Sequence, residues 1–432
     1  MSPGEGKLDL RSRPAWTAVW LVLAVVVAVA IGAGGQPVTP ELGSSLPSRM
    51  PESSGRMYYV DGERGADAGP GTLARPWRTI TYALRRVPAS GSVILVRAGT
   101  YGDMIRYERR GDPRNPVTLR PYPGEHVLLT APPKSISHAI WIRRASALRV
   151  HGFEITAPTS NTGIKIENSD DIEILGCDIH HTGHSGLLIA GTGSTPPAGN
   201  RNIQVWNNRL HDNGGAWISE NSFWRVGDHS VYWGGVSSNS DGIDHSTYGG
   251  VLANNLFYNQ PYGFQVQIGS QASGLIVTNN TFYRANGPYP AGGSITLYTE
   301  TRTPAYVTRD VLIVNNIITY AANKGVWGSG GGGLMSTNMV RNNLAYGNAQ
   351  GDFLNYFGSA SNVLFQLGSN LTGRRPLFVS ARQLDFRLQP RSPAIGNADS
   401  AYATPTDFLG RSRVAAADLG AFEWVPKPKK KR

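Results

Sequence analysis

Asn207-Asn208-Arg209-Leu210, Asn254-Asn255-Leu256-Phe257, Asn279-Asn280-Thr281-Phe282, Asn315-Asn316-Ile317-Ile318 and Asn342-Asn343-Leu344-Ala345 are five copies of one phrase, spaced 47, 25, 36 and 27 residues apart. Short apolar alternations lead into it, as at Ile203-Gln204-Val205, Ile276-Val277 and Leu312-Ile313-Val314. Two earlier segments fit the same frame with Gly in front: Gly152-Phe153-Glu154-Ile155 and Gly176-Cys177-Asp178-Ile179. A repeat of roughly 20 to 50 residues, each copy one supersecondary unit, is the mark of a solenoid. Asn at a tight bend tolerates the left-handed conformation. Stacked coil on coil, such amides can form a hydrogen-bonded ladder. The pairs therefore read as structural.

The chain has 432 residues, 52 of them Gly, and few helix-favouring runs, which argues for strands and tight turns. Its single Cys177 excludes an internal disulfide and, at an apolar strand position, reads as a small core residue. The net charge is +11, of which five charges close the chain at Lys427, Lys429, Lys430, Lys431 and Arg432. A basic surface suits an anionic partner such as an acidic polysaccharide, a cell-wall polymer or phospholipid. Gly330 to Gly333 lacks the Lys-Ser/Thr of a phosphate loop, and neither a nucleotide nor nucleic acid is an expected partner.

Residues 16–33 are uncharged and follow Lys7, Arg11 and Arg13. A positive flank before an apolar run keeps the N-terminus inside and sends the remainder out of the cytoplasm. The length favours a single-pass transmembrane helix, and Ala28-Val29-Ala30 leaves a cleaved signal peptide and secretion open. The expected division is a basic cytoplasmic stretch over 1–15, the anchor or signal over 16–33, a Pro/Gly/Ser linker over 34–56, the repeat domain over 57–424 and a basic tail over 425–432. A monomer is expected.

Ile80, Ala83, Leu84 and Val87 recur at helical spacing between Pro76 and Pro88, which predicts a short amphipathic helix covering the first coil. The run from Tyr58-Tyr59-Val60-Asp61 to Gly99-Thr100-Tyr101 resembles the opening of pectate-lyase-like right-handed parallel β-helix proteins, and Asp385 to Trp424 is similar to the closing segment of surface β-helix proteins. The resemblance implies an all-β right-handed parallel β-helix and a polysaccharide as substrate or ligand. It also implies Ca2+ as a cofactor, for which Asp170, Asp171 and Asp178 are the available ligands. No contiguous run matches a catalytic motif of that family, so the resemblance carries over no specific mechanism.

In a β-helix, equivalent positions of successive coils stack in columns. The residue just after the four-residue phrase reads Thr156, His180, His211, Tyr258, Tyr283, Thr319 and Tyr346 down the axis, and the residue before it is apolar throughout. The first column is expected to face out and the second in. His180 then neighbours His211, with Tyr258 next. A second alignment sets His184 beside His229. Between His211 and His229 the repeat is interrupted by about 14 extra residues, and solenoid insertions fall on one face, often the binding face.

The candidate catalytic residues are therefore His180, His184, His211, His229, Tyr258 and Arg209. The candidate substrate-binding residues are Trp217, Phe223, Trp224, Arg225, Tyr232, Trp233, Asp244 and His245. Proton abstraction beside a uronate carboxylate needs a base, an acid and a cation for the carboxylate. His211 or His229 suits the base, Tyr258 or Tyr232 the acid, and Arg209, Arg225 or Arg284 the cation. This predicts a lyase- or epimerase-like enzyme acting on an acidic polysaccharide. The other expectation is a non-catalytic surface solenoid that binds glycan, its histidines and aspartates forming a polar ladder.

Overall fold

The computed structural model describes residues 45–132, 137–158, 162–191, 199–213, 229–234, 247–261, 264–269, 272–286, 293–299, 308–330, 337–355 and 365–426, with backbone only at 229–234, 298–299 and 329–330. The anchor or signal segment over 16–33 and the basic tail from 427 lie outside these residues, and no described helix is long and apolar enough to cross a membrane.

The fold is an all-β right-handed parallel β-helix. Each coil visits three parallel sheets, of nine, twelve and ten strands, in a fixed order. Thr162–Glu167 lies in the nine-stranded sheet, Asp170–Leu175 in the twelve-stranded sheet and Asp178–Thr182 in the ten-stranded sheet. Inward Ile, Val, Leu and Phe residues stack into one continuous core, with Phe257 and Phe282 face to face at 4.7 Å. Cys177 is buried there and its thiol is pushed up to about 12 by burial, so it is a core residue.

The Asn pairs divide two tasks. The first Asn of each copy is the one-residue left-handed turn between the twelve- and ten-stranded sheets: φ is 56° at Asn207, 56° at Asn254, 50° at Asn279, 59° at Asn315 and 55° at Asn342. Gly152 and Gly176 hold the same turn at 78° and 59°, which is why Gly leads the two earlier copies. The second Asn builds the ladder. Asn208 donates its main-chain N–H and its Nδ2 to Asn255 Oδ1, Asn255 does the same to Asn280, Asn280 to Asn316 and Asn316 to Asn343, all at 2.9–3.0 Å. Asn370 adds a last rung that the repeat conceals, because Ser369 replaces the leading Asn.

A helix stands at Ile80–Arg86; Thr79 caps its start by accepting from the Tyr82 N–H, and it stops short of Val87, which is extended ahead of Pro88. Its buried Ile80, Ala83 and Leu84 join the core at the first coils. The linker expected over 34–56 is docked where described. Leu46 packs on Leu175, Trp206, Ile276 and Leu312 of the twelve-stranded sheet. Arg49 and Arg149 both bond the fully buried carboxylate of Glu173, and Arg149 also reaches the Met50 carbonyl. The closing segment returns along the Asn turns. Asn254, Asn279, Asn315 and Asn342 donate their Nδ2 groups to the carbonyls of Thr406, Asp418, Asp399 and Asn397.

Candidate active site

The outer face of the ten-stranded sheet carries two adjacent columns. In one, Leu128, Glu154, Asp178, Arg209 and Leu256 stand in register; in the other, Thr130, Thr156, His180, His211, Tyr258, Tyr283, Thr319 and Tyr346. The second column is the one the repeat predicts. The preceding position is buried throughout, from Ile155 to Ala345. Only part of the outer column meets solvent, because Phe386 of the closing segment packs on Tyr258 and Tyr283.

The two columns interlock with a one-coil offset. Glu154 Oε1 lies 3.1 Å from His180 Nε2 of the next coil, and Asp178 Oδ1 lies 3.0 Å from His211 Nε2 of the coil after. The imidazoles of His180 and His211 stack at 4.9 Å, and His211 stacks on Tyr258 at 4.5 Å. One residue further on, the chain turns through the left-handed region in the six coils from His180 to Tyr346: at His181, Asp212, Asn259, Arg284, Tyr320 and Gly347. This bulge returns two side chains to the columns. Asp212 Oδ2 takes His211 Nδ1 at 2.7 Å, and His181 Nδ1 meets His180 Nδ1 at 2.7 Å.

Two protonation states follow. Burial pushes His211 down, but its bonds to Asp178 and Asp212 outweigh this and raise it to about 8, so it is an imidazolium at neutral pH. Burial opposes the charge of Asp178, yet its bond to His211 holds the carboxyl below its ordinary value. Glu154 accepts from His180 Nε2, and in the tautomer in which His180 Nδ1 accepts, His181 donates to it from Nδ1. His181 is exposed, and in that tautomer its Nε2 carries the lone pair. Glu154, His180 and His181 thus form a relay that orients an exposed base. The His181 and His211 rings lie edge to face at 6.2 Å, setting that base beside an acid.

Several expectations change. His211 is held protonated at neutral pH, which argues against the base role expected of it. Tyr258 is buried, and burial followed by the nearby Asp178 charge raises its hydroxyl, so it is a stacking platform for His211. The Arg209 guanidinium sits over Phe408 at 5.3 Å. His184 bonds Thr162 at the neighbouring turn. Leu187 pairs with Val231, a register that aligns His229 with Ser185 and not with His184. Trp217, Phe223, Trp224, Arg225, Asp244 and His245 lie outside the described residues. Of His229, Tyr232 and Trp233 only the backbone is described, in the nine-stranded sheet. His181, Glu154 and His126, whose Nε2 lies 2.5 Å from Glu154 Oε2, were not among the sequence candidates. Glu154 was legible two places before Thr156 in the same frame.

No three His, Cys, Asp or Glu side chains among the described residues converge to hold a metal. The carboxylates available for Ca2+ are dispersed and engaged: Asp170 with Arg110, Asp171 with Asn202 and Asp178 with His211. They do not fit that ion.

The family model for a Pel9A-like, right-handed β-helix region matches residues 58–250. The solved structure of pectate lyase Pel9A superposes with a TM-score of 0.56 at 16% identity, covering 89% of this chain and 98% of that one. An uncharacterised protein, YwoF, of Bacillus subtilis (strain 168) is 30% identical over 100 residues, 23% of this chain and 20% of that protein. Alpha-1,3-galactosidase A of Akkermansia muciniphila is 26% identical over 80 residues, 18% of this chain and 13% of that protein. The chain therefore aligns with a fifth or less of the length of these curated relatives. By its repeat and its strand register it has the right-handed parallel β-helix fold, and over residues 58–250 it is similar to the Pel9A-like region.

Proposed function

We propose that this is an exported, carbohydrate-active β-helix protein with lyase- or epimerase-like chemistry on an acidic polysaccharide. The observation that carries the reading is the Glu154–His180–His181 relay set beside the His211 imidazolium. His181 Nε2 takes the proton from the carbon next to a uronate carboxylate. In elimination, His211 gives its proton to the departing glycosidic oxygen. In epimerisation, a proton returns to the opposite face of the same carbon. Glu154 and His180 are positioning residues, because they act through His181. The names of pectate lyase Pel9A and of the galactosidase relative favour a sugar polymer as substrate. Residues 16–33, as anchor or signal, place the body outside the cytoplasm in this reading.

A second reading, a non-catalytic glycan-binding solenoid, is favoured by one observation: both His211 nitrogens are already bonded to carboxylates. The two separate on incubation of the full-length chain with a panel of uronate polymers. Unsaturated sugar absorbance or an altered epimer ratio by NMR supports the enzyme. Binding with no product from any polymer supports the second reading.

A further inference from the structure

The same left-handed column that supplies His181 and Asp212 continues to Arg284 and Tyr320 before it reaches Gly347. A large ring at φ 57° is an unusual placement for Tyr320 and strains its backbone. Gly347, next in the column, makes room for it: a Cβ there would lie 3.1 Å from the Tyr320 ring. Tyr320 is also held edge-on between Tyr283 and Tyr346, at 5.7 Å from each.

Guanidinium groups close both ends of this aromatic row. Arg284 lies 5.1 Å from the Tyr283 ring and Arg375 lies 6.0 Å from the Tyr346 ring. The nearby hydroxyls of Tyr320 and Tyr346 raise the Arg375 guanidinium above its ordinary value. Both arginines are exposed, and among the described residues neither has a carboxylate partner. The neighbouring patch differs in charge: its cations, the exposed Arg209 over Phe408 and the His211 imidazolium, stand among Glu154, Asp178 and Asp212. The guanidiniums of the aromatic row have no such carboxylates among the described residues.

We infer that Arg284, Tyr320, Tyr346 and Arg375 form a subsite for a carboxylate-bearing sugar of an acidic glycan running along the solenoid axis past His211. The half-buried tyrosine rings give the apolar face of the sugar a surface. Each guanidinium is a charge-assisted, fork-shaped donor for a sugar carboxylate, Arg284 at one end of the row and Arg375 at the other. Arg284 lies two rungs from Asp212 and Tyr320 three, so at ~4.8 Å per rung the subsite begins roughly 10 Å from the acid–base pair. The inference rests on the reading that the ligand is an acidic glycan.

The test is calorimetric titration of the full-length chain with a galacturonate hexamer and with its methyl-esterified counterpart, for the unchanged protein and for Arg284→Gln and Arg375→Gln. Both arginines are exposed, and unchanged thermal unfolding of the variants will show that they fold. The expected result is binding of the acid hexamer, weakened about tenfold or more by each variant, with the weaker binding of the ester unaffected. Variants that bind the acid hexamer as the unchanged protein does overturn the subsite alone. An unchanged protein that binds neither that hexamer nor acid oligomers of mannuronate and guluronate overturns the acidic-glycan reading with it.

Discussion

His211 is held between Asp178 of the preceding coil, 3.0 Å from Nε2, and its own neighbour Asp212, 2.7 Å from Nδ1. The imidazolium gains these partners only in the folded chain. Its raised value, about 8, means that the stabilisation is full below the unfolded value near 6.5 and is lost as pH rises through about 8. The contribution is no more than about 2 kcal/mol. Thermal unfolding at pH 6 and pH 9 should therefore differ more for the native chain than for His211→Gln. An equal pH dependence for the two would show that His211 is not held charged.

His138 has the opposite sign. Burial first, then the Lys165 charge, lower it to about 4, and its Nδ1 has no hydrogen-bond partner. The unfolded chain binds this proton near pH 6.5 and the folded chain resists it to about 4, so stability falls as pH drops across that window. His138→Phe should lose less stability than the native chain between pH 7 and pH 5, read as the shift in melting temperature.

The Asn ladder makes a graded prediction. Asn316 Oδ1 accepts two bonds from Asn280, and its Nδ2, with two hydrogens, is shared among three acceptors, the carbonyls of Val277 and Val314 and Asn343 Oδ1, all buried. Asn316→Ala leaves several of these groups without partners, which should cost about 3 kcal/mol or more. Asn370→Ala, at the more exposed last rung, should cost less. Denaturant unfolding of both variants checks the order.

The docked segment before the repeats is also open to test. Glu173 is fully buried between Arg149 and Arg49. Glu173→Ala leaves the Arg149 charge buried without its carboxylate, a loss of about 3–5 kcal/mol. It also frees Arg49, so limited proteolysis should cut residues 45–56 sooner than in the native chain. Unchanged cleavage would show that the apolar seat of Leu46 alone holds the segment.

Much of this was legible because the Asn phrase is a ruler. His180, His211 and Tyr258 follow it at a constant offset, so their register could be counted. His229 could not be placed, because it follows the long insertion and the count slipped by one, pairing it at the level of Ser185. The burial of Tyr258 under Phe386 and the capture of Arg209 by Phe408 arise from a segment more than a hundred residues away in sequence, which no local spacing reports. The charge of His211 was invisible for a related reason: one of its carboxylates sits one coil back, 33 residues earlier.

The central claim is that His181, oriented through His180 by Glu154, is the base of a proton abstraction. The most direct measurement is the rate of product formation by full-length protein and by His181→Gln on whichever uronate polymer of the panel yields product. The account predicts a loss of about 10²–10⁴-fold for the variant, with thermal unfolding unchanged because the ring is exposed. A variant as fast as the native chain, or a native chain that converts no polymer, would contradict it.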